Sequence, residues 1–195
     1  GVFDPPFVVN GTAQLQLGLF DGLSTLAPDR CSSSRDPGLE QNFIADLDVN
    51  ETGDVVLAVS SSGSATARNR VYRSMAGSAF APLGDGVPGV SFSTLEMARS
   101  LPTRVYLTGI TSPGVRAVFY RSDDGGVTLN ELPFDPGFSV RTAYVAGIDP
   151  TNADVVYVRA QRTPSGDADS QTTPSSLLRS DDGGMSFHEV AHTDD

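Results

Sequence analysis

Arg121-Ser122-Asp123-Asp124-Gly125-Gly126-Val127-Thr128-Leu129 returns further along the chain as Arg179-Ser180-Asp181-Asp182-Gly183-Gly184-Met185-Ser186-Phe187. An apolar run precedes each copy, Ala117-Val118-Phe119-Tyr120 in one and Leu177-Leu178 in the other. Each run reads as a strand. The Ser-Asp-Asp-Gly-Gly core reads as a tight turn, because glycine takes positive φ at no steric cost and aspartate bonds its own backbone. Thr128-Leu129 and Ser186-Phe187 are expected to open a second, antiparallel strand. The closing apolar residue, Leu129 or Phe187, is expected to pack beneath the turn. A hairpin locked by side-chain-to-backbone hydrogen bonds, used more than once, is the signature of a repeat architecture.

Ser122, Asp124, Gly126 and Thr128 resemble the Ser-x-Asp-x-Gly-x-Thr-Trp pattern of the Asp-box, or BNR repeat, and so do Ser180, Asp182, Gly184, Ser186 and Phe187. Leu129 departs from the usual aromatic, whereas Phe187 keeps it. Asp-boxes occur in sialidases, sortilin-like receptors, xyloglucan-active glycosidases and a photosystem II assembly factor. The resemblance implies a β-propeller, with the box joining the third and fourth strands of a blade. It places the box at the rim, away from the ligand face, and so gives it a structural role. The ligand alternation and terminal glutamate of an EF-hand are missing, so no metal is expected. No cofactor is expected either.

Working outward, the chain reads as units of four strands. Phe43–Val49, Asp54–Val59, Val71–Ser74 and Phe80–Leu83 form one unit, in which Met75-Ala76-Gly77-Ser78 stands where a box would be, without its Asp. Ser93–Ala98, Arg104–Thr108, Ala117–Ser122 and Leu129–Leu132 form the next, and Thr142–Ile148, Asp154–Val158, Ser176–Ser180 and Phe187–Val190 the last. Each unit takes about 50 residues, near the spacing of propeller blades. The blades are therefore expected at 39–90, 91–140 and 141–195, with a polar insertion at 161–175. Residues 1–38 read as a partial or irregular blade and linker: Gln14–Leu19 alternates like a strand, and Asp21-Gly22 suggests a worn hairpin.

Composition sets the class. The chain has 195 residues, 38% hydrophobic, with 20 Gly and 13 Pro, as suits a turn-rich all-β protein. The net charge of −11 argues against nucleic acid or an anionic membrane as partner. No apolar run reaches the length of a membrane span. The acidity fits a secreted or cell-surface protein. The chain opens at Gly1 rather than Met and without a signal peptide, and is expected to be a processed or excised piece. Cys31 is the single cysteine, in a polar segment, so it is an exposed thiol or one whose partner lies outside this chain. The histidines, His188 and His192, stand at the far end, which leaves Cys31 no base nearby in sequence.

A lone blade cannot bury both faces, so neighbours must cover them. Three blades and a partial one suggest a fragment of a longer parent, a ring completed by a second copy, or a small closed ring. Propeller ligands meet the face made by loops between the second and third strands and between blades. The charged residues there are Arg68, Arg116, Arg162, Asp167 and Asp169, with Asp85 and Asp135 after successive blades. A glycosidase needs two carboxylates across one bond, and Asp85 with Asp135 is the candidate pair. The Arg-Ile-Pro motif of sialidases is missing, since Leu101-Pro102-Thr103 lacks the arginine. Two functions stand: an extracellular module binding a protein or glycan without catalysis, and part of a glycoside hydrolase whose active site lies largely outside this chain. An assembly-factor role draws no particular support from the acidic, arginine-poor loops.

Overall fold

The computed structural model describes residues 43–163 and 174–193, together with the backbone of residues 8–9 and 12–13. The expected strand at Gln14–Leu19, the hairpin at Asp21-Gly22, Cys31, Asp167 and Asp169 fall outside the described residues. β1 (Val8–Val9) pairs with β2 (Thr12–Ala13). The chain continues through β3 (Phe43–Val49), β4 (Val55–Ser61), β5 (Arg68–Asn69), β6 (Val71–Met75), β7 (Ala81–Pro82) and β8 (Val87–Pro88). Next come β9 (Val90–Met97), β10 (Val105–Thr111), β11 (Ala117–Ser122) and β12 (Asn130–Leu132). β13 (Val140–Ile148), β14 (Val156–Arg162), β15 (Ser175–Ser180) and β16 (His188–His192) complete the order. No described residue is helical.

Three four-stranded antiparallel sheets result, β3-β4-β6-β7, β9-β10-β11-β12 and β13-β14-β15-β16. Each is a simple meander and each behaves as a blade. β5 and β8 pair apart from the blades, within a stretch that reads from sequence as loop. β4 is apolar from Val55 to Val59 because both faces are covered: Leu57 and Val59 face the second blade, while Ala58 packs with Tyr72 and Phe80 on the other side. The core therefore lies between sheets. Leu57, Val59, Val71 and Leu83 of the first blade meet Phe92, Leu95, Leu107 and Val118 of the second. Tyr106 and Phe119 of the second meet Val145, Val156, Val158 and Leu178 of the third.

The repeated turns are built alike. Ser122 Oγ donates to Asp124 Oδ1 (2.7 Å) and accepts from the Gly126 N–H (2.9 Å), while Asp124 Oδ1 accepts from the Thr128 N–H (2.8 Å). Ser180 Oγ and Asp182 repeat this, with the Gly184 N–H at 2.8 Å and the Ser186 N–H at 2.9 Å. Ser186 Oγ adds a bond to Asp182 Oδ2 (2.6 Å). Hydroxyl and amide bonds, led by those from Ser186, hold the Asp182 carboxyl down at about 2. In the first blade the worn version closes differently, with Ala76 at φ 49° and the Met75 N–H bonded to Ser78 Oγ (3.1 Å).

Beyond each turn the chain departs from the sequence expectation. The fourth strands start at Asn130 and His188, later than Leu129 and Phe187. Neither apolar residue packs simply beneath its own turn. Phe187 meets Phe119 and Phe134 of the preceding blade edge-on, at 5.1 and 5.2 Å between centroids. Leu129 joins the cluster that contains Val71 and Leu83. The turn is thus a hook onto the previous blade, because the preceding sheet offers the apolar surface that a two-strand hairpin lacks.

Candidate functional site

The three inner strands, β3, β9 and β13, are the first strands of their blades. Side chains on β3 and β9 bond across to the next blade. Asp46 Oδ2 accepts from the Leu95 N–H (2.9 Å) and Asp48 Oδ2 from the Met97 N–H (2.7 Å). Thr94 Oγ1 accepts in the same way from the Val145 N–H (2.9 Å). Register explains the match: Asp48 lies opposite Leu57, Glu96 opposite Tyr106 and Gly147 opposite Tyr157, the same rung of three successive blades. Glu96 is one methylene longer than Asp48 and makes no hydrogen bond among the described residues.

Where these inner strands end, they leave a cleft of about 440 Å³. Asp48, Asn50 and Thr52 line it from the first blade, Glu96 and Arg99 from the second, and Ile148 and Pro150 from the third. Asn50 and Thr52 are held by the turn itself: Asn50 Nδ2 donates to Asp54 Oδ1 (2.7 Å), and Asn50 Oδ1 accepts from the Val55 N–H (3.0 Å). Burial, followed by the charges of Asp48 and Asp46, pushes the Glu96 carboxyl up to about 7. Burial also raises Asp46, against the bonds it accepts.

The Glu96 shift has a measurable consequence. The folded protein holds the Glu96 proton more tightly than the unfolded chain does, so ionisation opposes folding. That penalty is absent below the ordinary glutamate value of 4.5, grows as pH rises, and is complete above about 7. Glu96→Gln is expected to stabilise the protein at pH 8 by about 1–2 kcal/mol, after discounting for its half-exposed position, and to leave it unchanged near pH 4. Denaturant unfolding from pH 4 to 8 checks this. Parallel curves for variant and parent would assign the pH dependence to another group.

Among the described residues, those singled out from sequence lie away from this cleft, and only Arg68 and Asp85 are brought together. Arg68 donates to the carbonyls of Asp85 (3.4 Å) and Gly86 (3.3 Å). Arg116 pairs with Glu131 at 2.7 Å. Arg162 pairs with Glu189 at 2.5 Å and stacks over Phe138 at 4.1 Å. Asp85 borders a second cleft of about 340 Å³, against Val127 and Thr128 of the next blade's turn. Asp135 Oδ1 accepts from the Gly137 N–H (3.0 Å) and shapes its own turn. Ser122, Asp124, Gly126, Thr128, Ser180, Asp182, Gly184, Ser186 and Phe187 all work within the two hooks. Asp124 Oδ1 and both carboxylate oxygens of Asp182 accept from hydroxyl and amide donors. Among the described residues no group of three or more His, Cys, Asp or Glu is arranged to hold a metal.

Sequence reasoning missed Asp46, Asp48, Glu96 and Arg99. A signal existed: Asp46 and Asp48 recur at period two inside an apolar strand, and Glu96 interrupts another. Charges within predicted strands, rather than on loops, mark the inner ends here.

No protein-family model matches the chain, and no curated protein matches it in sequence. Solved structures do resemble it in fold. An ancestral GH74 enzyme superposes with a TM-score of 0.53 at 14% identity, over 77% of this chain and 20% of that one. The GH74 xyloglucanase from Xanthomonas campestris gives 0.50 at 18% identity, over 76% and 21%. The Niastella koreensis GH74 enzyme gives 0.50 at 16%, over 75% and 21%. The chain spans about a fifth of the length of each. These likenesses, with the three meandering sheets, define an all-β, propeller-like array of blades.

Proposed function

We propose that this chain is part of an extracellular propeller that binds a glycan, and that the cleft at the ends of β3, β9 and β13 is the contact site. The observation that carries this is the lining of that cleft. The unbonded Glu96 carboxyl and the exposed Arg99 stand beside Met97, Pro102, Ile148 and Pro150. A sugar presents hydroxyl edges and C–H faces, and a mixed wall of hydrogen-bonding and apolar groups suits both. The cleft lies at the opposite end of the inner strands from the loops expected to hold ligand. The arginines on those loops are already engaged within the chain.

Calorimetric titration of the chain with xyloglucan oligosaccharides tests the reading, with uncharged β-glucan and chitin oligosaccharides beside them. Binding is expected, and Arg99→Ala or Glu96→Gln should weaken it by about tenfold, the effect of losing one well-placed polar contact. Binding that ignores both substitutions, or no binding to any of these glycans, would remove the cleft from consideration.

A second reading, part of a glycoside hydrolase, is favoured by one feature. A carboxyl raised to about 7 keeps its proton in a large share of molecules at neutral pH, as a general acid requires. Asp46 and Asp48 are committed to backbone amides, so the second carboxylate would be Glu51, which also lines the cleft, or a group outside the described residues. Release of reducing sugar that disappears in Glu96→Gln would favour catalysis over binding alone.

A further inference from the structure

The third blade carries, on its face away from the second, the Tyr and Arg of the set with which the second blade holds the third, and an apolar residue in place of its Phe. Across β10 and β11, Tyr106 stands opposite Arg121 and Thr108 opposite Phe119. Tyr106 Oη donates to the Ala153 carbonyl (2.7 Å), and Arg121 Nη1 donates to the Gly183 carbonyl (3.0 Å) in the turn of the next blade. Phe119 lies directly under Gly184, where a Cβ would come within 2.4 Å of its ring.

Across β14 and β15 the register repeats, with Tyr157 opposite Arg179 and Arg159 opposite Leu177. Alternate residues Val156, Val158, Ala160 and Leu178 are buried against the second blade, so Tyr157, Arg159, Leu177 and Arg179 point the other way. Among the described residues no sheet covers them. Leu177 and Tyr157 are only partly buried, whereas their counterparts Phe119 and Tyr106 are fully buried. Arg179 turns back onto Asp181 (2.5 Å) and lies 5.6 Å from the Tyr157 ring. One link is not repeated, because Val155 stands on the rung of Arg104.

We propose that this face docks a further blade of the same repeat, one that presents a complete Ser-x-Asp-x-Gly turn. Arg179 would donate to the carbonyl of its first glycine, the Tyr157 hydroxyl to a carbonyl of its first inter-strand turn, and its second glycine would seat on Leu177. Two donors and one apolar seat, fixed at rungs already used once in this chain, select backbone carbonyls at blade-to-blade spacing. The first blade of a second copy does not fit, because Met75-Ala76-Gly77-Ser78 lacks the second glycine and the far side of that blade, at Ala58, Tyr72 and Phe80, is already buried.

The test is the full chain extended at its C-terminus by a second copy of residues 141–193, compared with the unextended chain. A single unfolding transition is expected, with Tm raised by about 5 °C or more. Tyr157→Phe and Arg179→Met should each remove several degrees of that gain and move the unextended chain by no more than about 1 °C. Three results overturn the proposal: an original transition unmoved by the appended blade, variants that lower both chains alike, or amides of the appended blade unprotected in hydrogen exchange. Self-association of the unextended chain that is lost in Arg179→Met would also overturn it, in favour of a second copy as occupant.

Discussion

Replacing Gly184 with alanine is expected to cost about 4 kcal/mol of folding stability, the sum of a strained backbone and a steric clash. Gly184 sits at φ +90°, where an L-residue is disfavoured. A Cβ there would meet Phe119 Cε1 at 2.4 Å and Leu132 Cδ1 at 3.2 Å, both in the preceding blade. Phe119 is fully buried and packed against Tyr106, Phe134 and Phe187, so its ring has no room to yield. Gly125 separates the two contributions. It also has positive φ, +73°, but a Cβ on it would meet nothing within 4 Å. Gly125→Ala is therefore expected to cost only about 1 kcal/mol. Denaturant unfolding of both variants decides the matter. Equal losses would mean that the second glycine serves backbone conformation alone and that the hook onto the preceding blade contributes nothing.

Arg104→Met should cost about 2–3 kcal/mol and loosen the third blade from the second. Arg104 bridges them: its Nε pairs with Asp123, its Nη1 pairs with Asp154 across the interface at 2.7 Å, and the same Nη1 reaches Tyr106 Oη at 3.3 Å. The side chain is 14% exposed, whereas the two aspartates are about half exposed. Removing the arginine leaves carboxylates that water can reclaim, which keeps the cost below that of a fully buried pair. Methionine retains the apolar stem, so the loss reports the head group. Asp154→Asn should cost less, about 1 kcal/mol, because Asp123 still holds the guanidinium. Hydrogen exchange localises the effect: amides of β14 and β15 should lose protection in Arg104→Met while those of β4 and β6 keep theirs. Uniform loss would make Arg104 a general stabiliser rather than an inter-blade clamp.

Both predictions concern contacts between residues roughly fifty or more apart in sequence, and this marks where sequence reading gave out. The strands were legible because apolar runs, punctuated by Gly and Asp turns, reflect local physics. Ser122 and Ser180 announced their turns because each turn is closed by bonds within five residues. The destination of Leu129 and Phe187 was not legible. A closing apolar residue looks the same whether it packs on its own hairpin or on the neighbouring sheet.

The candidate site fared differently. Asp85 and Asp135 drew attention because they occupy similar places after successive blades, and loops are where function is usually sought. Their surroundings are turn backbone. Asp46, Asp48 and Glu96 looked like ordinary polar positions of alternating strands. Their significance arises only when the inner strands converge, which places Glu96 beside two other carboxylates and partly out of water.

The sequence by itself therefore determined the repeat, the all-β blades and the two locked turns, because each depends on interactions between near neighbours in the chain. Only the tertiary structure decided which blade each turn hooks, which carboxyl is pushed toward neutrality and where the cleft opens. Those depend on which rung of one sheet faces which rung of the next, and packing alone sets that register.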